Sequence, residues 1–237
     1  MKRNYTVKVE ADKIYRQKLI FKIAKITFLF LLIILSVIYF LLYVVYSKGN
    51  FVVSLDKNID NRKNIFLSED GNLQNMKVEL RAKSLDYMDN ISIDWINKDV
   101  DTEATGSHNG QNYIAYTFYI MNAGDETVDY WYQIDIEDTI KDVDEAIRIM
   151  IFHNGEKMVY GKKNKTTGLA EVGTKMFYSD SIAVLENVKQ FAPGGKDRFT
   201  VVIWLEGDDP DCLDNLIGGE IKLKMNMTEE HINGNKK

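Results

Sequence analysis

A run of 21 uncharged and almost wholly apolar residues near the N-terminus constrains this chain more than any other feature. The run, ITFLFLLIILSVIYFLLYVVY, occupies positions 26–46. As an α-helix it would reach roughly 31 Å at about 1.5 Å per residue, which matches the hydrocarbon core of a bilayer. Core helices of soluble proteins rarely extend this far without a charge, so the sequence predicts a membrane-spanning helix.

The residues that follow predict an anchor that is retained. A cleaved signal peptide has a shorter apolar stretch that ends in small residues of the A-x-A type. Here the flank reads YVVYSKGNF. We therefore expect an uncleaved signal anchor at 26–46 and a short linker at 47–50.

The charge distribution predicts the orientation of this helix. Residues 1–25 carry eight Lys and Arg against two acidic residues, and Lys and Arg are enriched in cytoplasmic flanks. We expect a basic cytoplasmic segment at 1–25, a single pass through the cell membrane and an extracellular C-terminal domain. Residues 1–46 have a net charge of +6 and the chain has −5, so the other 191 residues carry −11. This acidic balance argues against a nucleic acid partner, because phosphates are bound by Lys and Arg clusters.

The residues beyond position 50 show the period of two that is typical of half-buried strands. VDYWYQIDIED at 128–138 and EIKLKMNM at 220–227 alternate apolar and polar residues. KVELRA at 77–82, YIAYTFYIM at 113–121 and RFTVVIWLE at 198–206 are apolar on both faces, which predicts central or covered strands. FVVSL at 51–55 reads as the first strand of the domain, and donation of this strand to a neighbouring subunit is the alternative.

Turn residues separate these strands. Asn154-Gly155 predicts a two-residue hairpin, and Pro193-Gly194-Gly195 predicts a turn before the strand that begins at Arg198. A helical turn at 142–146 is predicted from the capping-box spacing of Asp142 and Glu145. The chain is therefore predicted to be mainly β, with an antiparallel β-sandwich at 51–228 and a flexible polar tail at 229–237.

The stretch WLEGDDPDC at 204–212 concentrates carboxylates around a proline and the only cysteine. Hard oxygen ligands of this kind suit Ca²⁺, although the spacing is not that of an EF-hand. A catalytic carboxylate pair is a second reading, and a polar connection broken by Gly207 and Pro210 is the third. The candidate metal ligands are Glu206, Asp208, Asp209, Asp211 and Asp214.

Few residues in this chain suit catalysis. Cys212 is the only cysteine, and none of the three histidines belongs to a recognisable catalytic motif. The sequence contains no H-E-x-x-H, G-x-S-x-G, Walker or dinucleotide motif. We therefore expect no enzymatic activity and no cofactor, unless the acidic loop binds Ca²⁺. Trp131 and Trp204 fall on polar strand faces, where an indole ring stacks on a sugar or anchors a protein unless a loop covers it.

Two segments, 112-NYIAYTFYIMNAGDETVDYWYQIDI-136 and 201-VVIWLEGDDPDCLDNLIGGEIKLKMNM-227, resemble the camelysin and TasA proteins of low-GC Gram-positive bacteria. The resemblance implies an exported jelly-roll β-sandwich, a fold that in some relatives polymerises into biofilm fibres. Those fibre-forming relatives lose their signal segment, whereas this chain is expected to keep it.

Composition, anchor and resemblance together predict a membrane-anchored surface module for adhesion, envelope organisation or matrix assembly. Its expected partners are the bilayer and further sandwich subunits. The alternatives are a metal-dependent envelope enzyme or sensor that uses the acidic loop at 206–214, and a polysaccharide-binding module.

Overall fold

The apolar N-terminal run lies within one long helix. The structure, a computed structural model, describes residues 3–46, 50–55 and 65–231 and divides into two units, Met1–Lys48 and Gly49–Lys237. Helix α1 (Arg3–Tyr46) begins well before the predicted span and includes most of the basic segment. Its portion Lys13–Leu42 is long and apolar enough to cross a membrane, and all of its side chains are exposed. This apolar surface is free to contact lipid.

The second unit is built from strands. The described residues form twelve, which are β1 (Phe51–Leu55), β2 (Ile65–Ser68), β3 (Glu79–Arg81), β4 (Gly106–Ser107), β5 (Tyr113–Asn122), β6 (Val128–Ile140), β7 (Ile147–His153), β8 (Glu156–Gly161), β9 (Lys175–Met176), β10 (Ile182–Phe191), β11 (Lys196–Leu205) and β12 (Glu220–His231). Short 3₁₀ turns occur at Leu73–Asn75, Ile93–Trp95, Val143–Glu145 and Asp214–Leu216.

These strands form two sheets. The five-stranded sheet has the order β10-β6-β12-β1-β3. The seven-stranded sheet has the order β2-β5-β11-β7-β8-β9, and β4 also pairs with β5. Pairing is antiparallel except between β1 and β12 and between β8 and β9. The predicted mainly β fold is therefore confirmed, with mixed rather than purely antiparallel sheets.

The main core lies between the two sheets. The Tyr132 ring of β6 meets the Phe199 ring of β11 edge-on, with 5.2 Å between ring centroids. Phe51 of β1 meets Tyr116 of β5 edge-on at 6.4 Å. The predicted alternation along β6 is confirmed, because its apolar residues enter this core while Trp131 remains exposed. The two faces that bury these rings define a sandwich.

A smaller core covers the other face of the seven-stranded sheet. Its strand residues are Tyr113, Ala115, Met150, Val159, Val202 and Trp204. Ile91, Ile96 and Val100, from the connection between β3 and β4, pack over them. This cover explains why β5 and β11 are apolar on both faces, as predicted for covered strands. The same prediction for 77–82 is wrong, because β3 is a three-residue edge strand of the five-stranded sheet.

The turns behave largely as predicted. Asn154 and Gly155 join β7 and β8 in a two-residue hairpin, with φ of 52° and 87°. The 193–195 turn precedes β11, which begins at Lys196. The helical turn exists at Val143–Glu145, but the expected capping box is wrong, because Asp142 is left-handed and makes no side-chain cap bond.

Several boundaries differ from the prediction. Strand β12 continues to His231, so residues 229–231 belong to the sheet rather than to the tail, and 232–237 lie outside the described residues. Residues 47–49 of the predicted linker also lie outside them, while the Asn50 carbonyl accepts a hydrogen bond from the Leu223 N–H at 2.9 Å. Strand β1 pairs within its own sheet, which confirms that 51–55 is the first strand of this domain.

Candidate functional site

Glu206 lies directly after β11 and is held by several hydrogen bonds. Its backbone N–H donates to the Ala146 carbonyl at 2.9 Å, and it bridges to Ile91. Its carboxylate accepts a hydrogen bond from the Trp204 indole at 3.0 Å and another from the Asp208 N–H at 3.2 Å. Both carboxylate oxygens are therefore used to hold the end of the strand.

Asp209 forms a buried ion pair with Arg148 of β7. Only 4 % of the Arg148 side chain and 0 % of the Asp209 side chain are exposed. Asp209 also accepts a hydrogen bond from the Asp211 N–H at 2.8 Å. Gly161 of β8 pairs with Arg148, and a Cβ at Gly161 would lie 3.0 Å from the Arg148 side chain. Glycine at this position therefore leaves space for the guanidinium group.

Three carboxylates converge beside this ion pair. Oxygen atoms of Glu171, Asp209 and Asp211 lie within 4.8 Å of one another. Oε1 of Glu171 is buried and has no hydrogen-bond partner among the described residues, while Asp211 accepts a hydrogen bond from the Lys165 N–H at 2.9 Å. Carboxylate oxygens at this spacing are suited to a hard divalent cation.

The structure therefore divides the predicted metal ligands. Asp209 and Asp211 belong to the three-carboxylate group, whereas Glu206, Asp208 and Asp214 do not. Glu171 was not predicted, because it lies between β8 and β9, far along the chain from the acidic loop. No local pattern in the sequence links it to Asp209.

A cavity of about 530 Å³ opens between the two sheets at the end of the sandwich next to this loop. Its walls are the segment 84–90 and the connection 212–221. Its apolar floor comes from the ends of strands in both sheets and from one 3₁₀ turn, with Ile114, Val143, Ile147, Leu205 and Ile221. This volume is in the range of natural ligand pockets.

The lining of the cavity is acidic and partly apolar at its exposed edge. Its carboxylates are Asp86, Asp89, Asp214 and Glu220, all of them exposed. Large exposed apolar side chains stand beside them, namely Tyr87, Leu213 and Ile217. Lys141 lies nearby, and its amine donates to the Ile217 carbonyl at 2.5 Å. The edge therefore combines negative charge with apolar surface.

Cys212 also lines this cavity. Its Sγ accepts a hydrogen bond from the Asn90 amide at 3.8 Å. Burial raises the pKa of the thiol above its ordinary value, and the nearby Asp209 and Glu206 carboxylates add to this effect. A thiol of raised pKa is protonated at neutral pH and is a poor nucleophile.

The two candidate tryptophans have opposite environments. Trp131 is 36 % exposed on the five-stranded sheet, and its indole N–H donates to Glu230 at 2.8 Å. Trp204 is 0 % exposed and belongs to the smaller core. The prediction of Trp204 as a binding-surface residue is wrong, because the 91–100 segment covers the polar-patterned face of its strand.

A separate polar cluster lies near the β7–β8 hairpin. Asp197 accepts hydrogen bonds from Tyr130 at 2.5 Å and from Asn154 at 2.7 Å, and its carboxylate lies 3.3 Å from the His153 ring. Burial raises the pKa of Asp197, but the bonds from His153, Tyr130 and Asn154 outweigh it, so the pKa lies below its ordinary value. This cluster ties the hairpin to β6 and β11.

The cavity offers the chemistry of recognition, with an apolar floor for burial and carboxylates for charge pairing. The three-carboxylate group beside it offers oxygen ligands to a cation.

A scan against protein-family models and searches of curated proteins and of solved structures find no match to this chain.

Proposed function

We propose that this chain is a single-pass, membrane-anchored module of the cell surface. Helix α1 lies in the cell membrane with its N-terminus in the cytosol, and the acidic sandwich faces the outside and binds a partner at the cavity. The observation that carries this proposal is the exposed apolar span Lys13–Leu42, which precedes a packed sandwich in the same chain. The excess of Lys and Arg in residues 1–25, before the uncharged run at 26–46, supports the orientation.

The role of the module is binding or assembly rather than catalysis. The resemblance of 112–136 and 201–227 to the camelysin and TasA proteins supports adhesion, envelope organisation or matrix assembly. The ten-residue strand β10 is an edge of the five-stranded sheet, and edge strands pair with strands of other subunits. Light scattering of the detergent-solubilised protein tests self-assembly. A mass larger than that of the monomer is expected, and the mass of a monomer would contradict self-assembly.

Membrane fractionation tests the anchor. The full-length protein is expected to remain in the membrane pellet after an alkaline carbonate wash. Combining Leu31→Arg with Leu35→Arg puts two charges in the span, each costing about 2.5–3.5 kcal/mol of insertion free energy at a helix centre. This variant should leave the pellet, whereas the uncharged pair Leu31→Met and Leu35→Met should stay. Release of the wild-type protein by the wash contradicts the proposal.

A divalent cation bound by Glu171, Asp209 and Asp211 is a second candidate function. The observation that favours it is the Glu171 Oε1 atom, which is buried without a partner among the described residues and belongs to a carboxylate of this group. An all-carboxylate set suits Ca²⁺ better than softer metals.

Calorimetric titration of the full-length protein with Ca²⁺ and Zn²⁺ tests this candidate. Ca²⁺ is expected to bind and to stabilise the fold by about 2.7 kcal/mol at a hundredfold excess over Kd. Glu171→Gln should abolish both effects, and Asp180→Asn at an exposed position should preserve them. Flat titrations with both ions and no thermal shift remove the candidate.

A further inference from the structure

The segment 84–88 lies along the cavity without hydrogen bonds of its own. Its flanks are fixed, because the Ala82 N–H donates to the Phe51 carbonyl at 3.0 Å and the Ile91 N–H donates to the Leu205 carbonyl at 2.9 Å. Between them, residues 84–88 form no hydrogen bond with any part of the chain that the structure describes. Backbone N–H and C=O groups that have no partner within the protein are available to the backbone of an extended peptide.

The carboxylates of the lining are also free to pair with a ligand. Asp86, Asp89, Asp214 and Glu220 take part in no ion pair within the described ranges, and of the four only Asp89 accepts a hydrogen bond there, from the Asn90 N–H at 3.0 Å. Asp209 differs, because Arg148 already neutralises it. These four carboxylates outnumber the Lys141 ammonium group at the Ile217 carbonyl, so the lining favours cationic over anionic ligands.

The apolar residues of the cavity provide an anchor point. Leu213 is 61 % exposed and stands with Tyr87 and Ile217 at the edge of the apolar floor. Exposed apolar groups clustered around a concavity mark sites where a partner buries a large side chain. Burial of such a side chain supplies affinity, while the surrounding carboxylates select the charge of its neighbours.

We propose that the cavity binds an extended peptide segment of a partner protein, with a large apolar side chain flanked by Lys or Arg. The apolar side chain enters the floor, the basic residues pair with the lining carboxylates, and the peptide backbone bonds to residues 84–88. This inference rests on the proposed function, because it requires the cavity to face a partner outside the cell.

Peptide binding to the full-length protein in phosphatidylcholine nanodiscs tests the inference. The probe is a fluorescein-labelled peptide, Lys-Lys-Phe-Leu-Lys-Lys, followed by fluorescence anisotropy against empty nanodiscs. It is expected to bind saturably, and more weakly as salt is added. Glu-Glu-Phe-Leu-Glu-Glu and Lys-Lys-Ser-Ser-Lys-Lys should bind at least about tenfold more weakly, a difference of about 1.4 kcal/mol.

Matched variants locate the binding. Leu213→Ser, and Asp89→Asn combined with Asp214→Asn, should each weaken binding of the basic peptide about tenfold. Leu169→Ser is the control for the first, because Leu169 is 67 % exposed and lies outside the cavity, and Asp180→Asn is the control for charge. These positions are exposed, so the substitutions should leave the melting temperature unchanged. Measuring the melting temperature of each variant therefore checks that it is folded.

Three results overturn the inference, namely no saturable binding, equal binding of the acidic peptide, or equal affinity in the cavity and control variants. The carbonate wash of the same protein tests the anchor separately. Peptide failure on a membrane-retained protein refutes this inference alone. Peptide binding by a protein that the wash releases refutes the proposed topology alone.

Discussion

At the scale of single residues, the Arg148–Asp209 pair is a polar feature that should be costly to disturb. Both side chains are almost fully buried, so each charge depends on the other for the interactions that water would supply. Replacing a buried pair with apolar residues is often tolerated, whereas removing one partner leaves an uncompensated charge. The Glu206 carboxylate is held in a different way, by hydrogen bonds from two neutral donors, the Trp204 indole N–H and the Asp208 backbone N–H.

We predict that Asp209→Asn destabilises the domain by about 3–5 kcal/mol, because the Arg148 guanidinium remains buried without its ion-pair partner. Urea denaturation of the full-length protein in detergent measures the change. Asp208→Asn, at an exposed position in the same loop, should change the free energy of unfolding by less than about 0.5 kcal/mol. Equal effects of the two substitutions would show that the ion pair has no special role.

Asp197 makes stability depend on pH in the acidic range. Its pKa in the folded protein lies below its ordinary value of 3.8. A lowered pKa stabilises the fold above the ordinary pKa, and this contribution disappears as the pH falls through the folded value. Removing the charge should therefore matter at neutral pH and matter less in acid.

We predict that Asp197→Asn costs about 1–3 kcal/mol at pH 7, because Tyr130 and His153 lose a charged acceptor. The difference between variant and wild type should begin to shrink as the pH falls below about 4, where Asp197 of the unfolded wild type is protonated, and should disappear only below the lower pKa of the folded protein. Urea midpoints at pH 7, 5 and 3 measure this. A difference that stays constant over the three values would contradict the assignment.

At the scale of elements, the β7–β8 hairpin depends on backbone conformation at its turn. Gly155 has a φ of 87°, and no atom lies within 4 Å of where its Cβ would be. A substitution here therefore tests backbone strain without a steric clash. Gly155→Val should destabilise the domain by about 1–2 kcal/mol, and Gly155→Asn by less, because Asn tolerates positive φ. Equal melting temperatures for both variants would indicate that the turn is not strained by a side chain.

Local patterns predicted the elements better than they predicted the site. The alternation in β6 and β12 and the Asn154-Gly155 turn depend on neighbouring residues, so the sequence contains them directly. Strand β10 was not predicted, because its pairing with β6 is interrupted by two register shifts that disturb the alternation. The parallel pairing of β1 with β12 joins strands from opposite ends of the domain, which no local pattern encodes.

The candidate site depends on contacts between distant parts of the chain. Asp209 and Arg148 are 61 positions apart, and the acidic loop could be recognised only as rich in oxygen ligands. Trp204 alternates with polar residues, yet the 91–100 segment covers it. The sequence did not predict this cover, because a period of two shows which residues share a strand face and not what packs against that face. The cavity likewise joins loops from both sheets.

At the scale of the whole molecule, charge and hydropathy are segregated along the chain. The first 46 residues carry +6 and contain the apolar span, while the rest carries −11. Such a distribution suits a protein whose ends lie on opposite sides of a bilayer, with the basic end in the cytosol. The proposed function therefore requires the helix to span the membrane in that direction.

Thiol labelling of intact cells tests this claim most directly, because Cys212 is the only cysteine of the chain. In a Cys212→Ser background, Asp180→Cys and Lys8→Cys place single thiols in the sandwich and before the span Lys13–Leu42. With a membrane-impermeant maleimide, we predict labelling at position 180 in intact cells and at position 8 only after permeabilisation, both on full-length protein. Labelling at 8 but not at 180 in intact cells, or recovery of a labelled sandwich that lacks residues 1–46, would contradict the proposed topology.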